Sequence, residues 1–173
     1  DYIDPSYHSQ VCGLPCHNLD SWLLSEETIL EIFSRKAQGT GLAIIEGVMG
    51  LFDGVDGLQE QGSTAHIAKI LATPVILIID AKSMSRSAAA VAYGYASLDP
   101  GINLAGVIVN KIGSPGHYQM VKEAIENLTG IPVLGYLPRD EDLILPERHL
   151  GLIPTDEKAL LTPFVDKLSY TIE

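Results

Sequence analysis

The run Glu46-Gly47-Val48-Met49-Gly50-Leu51-Phe52-Asp53-Gly54 combines residue types that can hold a metal ion beside a phosphate. Carboxylates supply the hard oxygen ligands that magnesium prefers, and glycines let backbone come close to a ligand. Glu46 could hold the ion directly or through water, with Asp53 as a second ligand or a contact to substrate. The chemistry would be phosphoryl transfer. A plainer reading stands beside it, in which Glu46 ends a strand and Asp53-Gly54 is a simple turn.

Three further groups have chemistry to offer. Asp1 and Asp4 flank Tyr2-Ile3 and could share a metal or grip a substrate, or be solvated loop charges. Asn110-Lys111 follows an apolar run; an Asn amide has a donor and an acceptor suited to a purine edge, and the Lys111 stem could pack along a base. Ordinary turn chemistry before Gly113 is the alternative. Arg139, Arg148 and His149 could bind substrate carboxylates or form a solvated face. Cys12 and Cys16 lie near His8 and His17, but their spacing is looser than that of a structural zinc pair. Reduced thiols in a cytosolic loop are expected. A Gly-x4-Gly-Lys-Ser/Thr phosphate loop is absent from the sequence.

The elements that would position these groups alternate along the chain. Ser25 is placed to cap a helix through Ile29, Ile32, Phe33 and Ala37, ended by Gly39. Apolar residues 42–45 read as a buried strand that Glu46 ends. Ser63 or Thr64 opens a helix to Leu71. Residues 75–79 form a strand, 87–97 a helix, 104–109 a strand ending at Asn110-Lys111, 117–128 an amphipathic helix closed by Thr129-Gly130, and 131–137 a fourth strand. From Arg139 a loop precedes a last helix. The strands are continuous β-branched runs, which predicts burial on both faces, as in a parallel α/β sheet with helices on each side. Ligands of such sheets sit beyond the carboxyl ends of the strands. Glu46, Asp80 and Asn110 would then line one edge.

At 173 residues and 46% hydrophobic, the chain suits a single globular domain, 1–173. A net charge of -11 with no Lys/Arg cluster argues against nucleic acid as a partner. The longest apolar stretch, Val75 to Ile79, is strand-sized, far below the roughly 18 residues of a membrane span. Without a secretion signal, a cytoplasmic location is expected.

Taken in order, these motifs resemble the N-terminal synthetase domain of the cobyrinic acid a,c-diamide synthases. The resemblance is carried by Asp1-Tyr2-Ile3-Asp4-Pro5, Asn18-Leu19-Asp20 with Trp22, the Glu46-to-Gly54 loop and Gly62-Ser63-Thr64-Ala65. It continues through Val107-Ile108-Val109-Asn110, Gly135-Tyr136-Leu137-Pro138-Arg139 and the run from Leu145-Pro146-Glu147-Arg148-His149 to Leu152. It implies a dethiobiotin synthetase-like branch of the phosphate-loop NTPases. It also implies amidation of the a and c acetates of a corrinoid substrate, dependent on ATP and Mg2+, through an acyl phosphate and glutamine-derived ammonia. By that resemblance Glu46 is the magnesium- and phosphate-side acid, with Asp1 as a further metal ligand. Asp1 and Asp4 form an acidic loop at the junction of nucleotide and substrate; Tyr2 and Ile3 touch the corrin side chain; Asn110 and Lys111 take the adenine. Ser63 and Thr64 open a helix whose backbone amides could meet an anion.

The resemblance also implies a phosphate loop upstream of Asp1 and a C-terminal glutaminase domain of the same parent chain, with a homodimer left open. The 173 residues are expected to be an excised core, inactive alone. Other tetrapyrroles, hydrogenobyrinic acid or nickel sirohydrochlorin, share these motifs as substrates. A non-catalytic nucleotide switch of the partitioning-ATPase type is the reading from another class.

Overall fold

The computed structural model describes residues 3–143, 147–148, 151–152 and 161–172. Within it the chain forms two compact units, one of Asp1–Asn18, Ile76–Leu98 and Ala105–Glu173, the other of Leu19–Val75 and Asp99–Leu104.

The first unit is built on a three-stranded parallel sheet in the order β1 (Val75–Asp80), β2 (Leu104–Ile112), β3 (Val133–Pro138), so the fold is α/β. Two helices follow their strands as crossovers: α4 (Arg86–Leu98) after β1 and α5 (Pro115–Thr129) after β2. They pack on each other because α4 turns only small side chains inward, Ala88, Ala89 and Ala92, while α5 contributes Val121 and Ile125. Val107 and Val109 of β2 are fully buried. Ser114 caps α5, Pro115 sits at its start, where a missing N–H costs nothing, and Gly130 closes it. A 3-10 turn (Glu141–Leu143), a two-residue hairpin of β4 (Glu147–Arg148) and β5 (Gly151–Leu152), and α6 (Leu161–Ile172) complete the unit. Lys167 ties α6 back to the turn through Asp140 and Asp142, both at 2.8 Å.

In the second unit α2 (Glu26–Ala37) and α3 (Thr64–Ile70) pack around Ile29, Ala65, Ile67 and Ala68, all buried. The Ser25 and Ser63 hydroxyls accept the Thr28 and His66 N–H groups, as the sequence predicts for Ser25; of the two starts it offers for α3, Ser63 is the cap.

Four expectations are corrected. Residues 42–45 form no strand; no strand among the described residues pairs with them, and Leu42 and Ile44 are exposed. A β-branched run gives a chain the tendency to extend, but a strand also needs a hydrogen-bonded neighbour. Glu46 therefore does not end a strand beside Asp80 and Asn110. Secondly, β2 continues through Asn110-Lys111 to Ile112. Thirdly, burial alternates in β1 instead of covering both faces, with Ile76 and Ile78 exposed while Ile79 is buried, and Leu134 of β3 is exposed too. As flanking strands of a three-stranded sheet, β1 and β3 have fewer neighbours than β2. Fourthly, Ile3 and Asp4 lie in the first turn of helix α1 (Ile3–Cys12) rather than in a loop. Pro5 is tolerated there because first-turn N–H groups have no intrahelical partner.

Candidate functional site

The loop between residues 46 and 63 is held against the start of α3 by main-chain contacts. The Ala65 N–H donates to Leu51 O at 2.8 Å, the Val55 N–H to Gln61 O at 3.0 Å, and the Asp53 N–H to Gly50 O at 3.1 Å. Leu51, the apolar anchor of the loop, is buried. Gly47 lies so close to Thr64 that a Cβ there would come within 2.6 Å of Thr64 Oγ1. The loop's glycine thus brings the residue after Glu46 into contact with the helix start, as close backbone approach requires.

The loop's far end is seated by the Asp20-Ser21-Trp22 turn. Asp20 Oδ1 accepts the Trp22 and Leu23 N–H groups at 2.8 and 3.2 Å, and the buried Ser21 hydroxyl accepts the Gly62 N–H at 3.0 Å. Within the loop, Asp56 accepts the Leu58 and Gln59 N–H groups, which hold its carboxyl below the usual range. Lys69 of α3 pairs with Glu60 and with Asp99, the latter at 2.5 Å. The Asp99 hydrogen bond, then that of Glu60, raises the Lys69 pKa, and Lys69 lowers that of Asp99.

Glu46 and Asp53 both present exposed side chains from this loop. Among the described residues there is no group of three or more His, Cys, Asp or Glu side chains arranged for a metal. Magnesium takes only one or two carboxylates and completes its shell with water and phosphate oxygens. Ser63 and Thr64 open helix α3, as the sequence predicts. The Ser63 hydroxyl is spent on the His66 N–H, and the Ala65 N–H on Leu51 O, so two of the first-turn donors of α3 are engaged within the protein. The Thr64 side chain, facing Gly47, is the feature of this helix start that adjoins the loop.

The second cluster sits at the carboxyl edge of the sheet. Three steps along β2, from Val109 to Ile112, match two along β3, from Tyr136 to Pro138, so β2 bulges at Asn110-Lys111. Lys111 adopts φ 57, a left-handed conformation unusual for a residue with a side chain. Asn110 Oδ1 accepts the Lys111 N–H at 2.8 Å, which leaves its Nδ2 donors and a second lone pair. The turn aims the Lys111 ammonium at Asp80 Oδ2, 2.6 Å away. That contact, with the Lys82 N–H on Oδ1 behind it, holds the Asp80 carboxyl below its ordinary range. The Arg139 N–H donates to Ile112 O at 2.8 Å, bringing the start of the next loop to the same edge.

The sequence places Asp80, Asn110 and Lys111 at this edge but does not show that Asp80 and Lys111 pair. It also passes over His117, whose ring reaches both loops here; the Ser114-x-x-His117 spacing is the signal that could have found it. Asp4, in the first turn of α1, belongs with Ile3 to the first unit, whereas Glu46, Asp53, Ser63 and Thr64 belong to the second. Asp1, Tyr2 and His149 lie outside the described residues. Cys12 and Cys16 are exposed free thiols. No helix among the described residues is long and apolar enough to cross a membrane.

Comparison with known proteins adds a family. Residues 6–153 match the family described as the CobQ/CobB/MinD/ParA nucleotide binding domain. The chain is 49% identical over 173 residues to a cobyrinate a,c-diamide synthase of Dehalococcoides mccartyi (strain CBDB1), covering 100% of this chain and 37% of that protein. It is 48% identical over 172 residues to the cobyrinate a,c-diamide synthase of Priestia megaterium, covering 99% and 37%. It is 51% identical over 160 residues to that of Methanosarcina acetivorans, covering 91% and 32%. The chain therefore spans about a third of the length of these relatives. No solved structure matches it significantly.

Proposed function

The chain belongs to the CobQ/CobB/MinD/ParA nucleotide binding domain family, and from that premise we propose that it is the nucleotide-binding part of an ATP-dependent amidoligase acting on the a and c acetates of cobyrinate. The observation that carries this reading is identity of 49% sustained across all 173 residues with a synthase of that name.

A carboxylate resists ammonia because oxide is a very poor leaving group. In the proposed reaction, one oxygen of the acetate attacks the γ-phosphorus of ATP, the bond to the bridging oxygen breaks, and ADP leaves an acyl phosphate behind. Ammonia released from glutamine adds to the acyl carbon and gives up a proton; the carbon–oxygen bond to phosphate then breaks, leaving the amide and inorganic phosphate. Little of this is covalent work for the protein, whose task is positioning and charge neutralisation.

Glu46 and Asp53 are assigned to Mg2+, which when bound neutralises charge on the phosphate oxygens. The Asn110 amide takes the purine edge, and the Lys111 stem lies along the base. The Thr64 side chain beside Gly47 supports the phosphate end. Asp1, Tyr2, Ile3 and Asp4 keep the substrate-side role that sequence resemblance gives them.

The test uses the full-length protein with ATP, Mg2+, glutamine and cobyrinate, product masses being read for one and two amidations. Formation of the diamide with one ATP consumed per amide is expected. ATP hydrolysis indifferent to any corrinoid would replace this reading with the nucleotide switch, and preference for hydrogenobyrinic acid or nickel sirohydrochlorin would reassign the substrate.

A further inference from the structure

We infer that His117 is a positioning residue for nucleotide binding, its ring tying the loop after β1 to the loop after β2. The inference rests on the nucleotide reading above and adds to it a residue that touches no ligand.

The local geometry begins as a helix cap. Ser114 Oγ accepts the His117 N–H at 3.1 Å, and in return His117 Nδ1 accepts the Gly113 N–H at 3.1 Å. This reciprocal exchange is a capping box whose return bond reaches one residue further back than usual. A backbone amide can only donate, so Nδ1 carries no proton. The other nitrogen, Nε2, lies 2.6 Å from Met84 O, a residue 33 positions earlier, in the loop after β1. A carbonyl can only accept, so Nε2 carries the proton. The ring is neutral, in one tautomer, with both nitrogens engaged.

Capping alone does not require histidine, because Gln or Glu at this position completes the box. The ring adds a rigid donor on its far side. The two loops it joins are those that need holding. Asp80 lies just before one and Asn110-Lys111 just before the other, and a left-handed non-glycine residue sits within the first, Ser83 at φ 60, and at the strand end leading into the second, Lys111 at φ 57. Such conformations persist where the surroundings over-determine them. The strand ends supply one tie, from the Ala81 N–H to Asn110 O at 2.9 Å. His117 supplies a second, farther out, where the loops have left the sheet.

The test compares His117→Ala, His117→Asn and His117→Gln in the full-length protein. Asn sets an amide oxygen near the Nδ1 position and keeps the Gly113 bond without reaching Met84. Gln sets an amide nitrogen near Nε2 and can reach Met84. Ala and Asn are expected to raise the KM for ATP by about tenfold, the scale of one lost hydrogen bond between structured groups, with kcat nearly unchanged. Gln should bring KM back towards wild type, while Asn should recover Tm without recovering KM. Histidine 15N NMR of the wild type should show a proton on Nε2 alone. A KM that follows Tm across the three variants, an unchanged KM in the Ala variant, or a proton on Nδ1 overturns the inference and leaves the nucleotide reading standing. A wild-type protein with no ATP dependence overturns both.

Discussion

The glycine-rich loop on α3 and the carboxyl edge of the sheet both present candidate ligand groups, but they are held in place differently. The loop is fixed by close backbone approach: Gly47 against Thr64, Gly54 against Gln61, and the Ala65 and Val55 N–H groups closing onto loop carbonyls. Of its carboxylates, Asp56 caps its own turn and Glu60 pairs with Lys69, while Glu46 and Asp53 have exposed side chains. At the sheet edge the frame is the ladder itself, and the functional groups engage one another, Lys111 with Asp80 and His117 with both loops. One region should therefore lose stability when backbone is crowded. The other should lose ligand affinity, with little change in stability, when a side chain is removed.

Gly54→Ala is the sharpest way to break this contrast. A Cβ there would sit 2.4 Å from Gln61 O, a main-chain atom that cannot swing aside. A loss of about 2–3 kcal/mol in denaturant unfolding is expected, as for other overpacked sites. A loss below about 0.5 kcal/mol, within the range of ordinary surface changes, would mean the loop is not held by contact. Ser63→Ala comes next, removing the cap of α3 at a fully buried hydroxyl. It should cost about 1 kcal/mol, read from the same unfolding curves.

The loop's own ion network predicts a pH dependence. The folded-state pKa of Asp99 is depressed by Lys69 and the Gly101 N–H. Its contribution is therefore complete at neutral pH and fades as pH falls below the ordinary Asp range, of about 4, through the lower folded value. The raised pKa of Lys69 works in the other direction, its share being lost only as pH climbs above the ordinary Lys range. Urea midpoints of wild type and Asp99→Asn should converge on acidification; parallel curves would show that the contact adds nothing.

The smallest stability change is expected at the sheet edge, from Lys111→Gly. Glycine relieves a left-handed conformation that costs a side chain about 1 kcal/mol. It also removes an exposed ion pair of about 0.2–1 kcal/mol. Stability should move by less than about 0.5 kcal/mol while affinity for ATP, measured by titration, falls. Unchanged affinity would take Lys111 out of the nucleotide site.

Much of this was legible in the sequence where the signal is local. Ser25, Ser63 and Gly130 mark helix ends because a hydroxyl or a missing Cβ acts within one turn, and the apolar runs at Val75 and Leu104 locate β1 and β2. Non-local pairing was less legible. Residues 42–45 have the composition of a strand, but no strand among the described residues pairs with them, which no window of sequence can report. Asp80 and Lys111 are 31 positions apart, and their contact depends on β1 lying beside β2 and on a bulge that turns Lys111 sideways. Asp4 was misplaced into a loop because Pro5 and the paired acids look like turn chemistry, although a helix's first turn accepts both.

The stretch 42–45, with which no strand among the described residues pairs, has a practical consequence for anyone handling this piece of chain in isolation. Its main-chain donors and acceptors and the bare flanks of Leu42 and Ile44 offer a ready seam along which one molecule can zip to another. Concentrated preparations should cloud or sediment with time, and a single lysine at Ile44, by setting like charges face to face, should keep them clear.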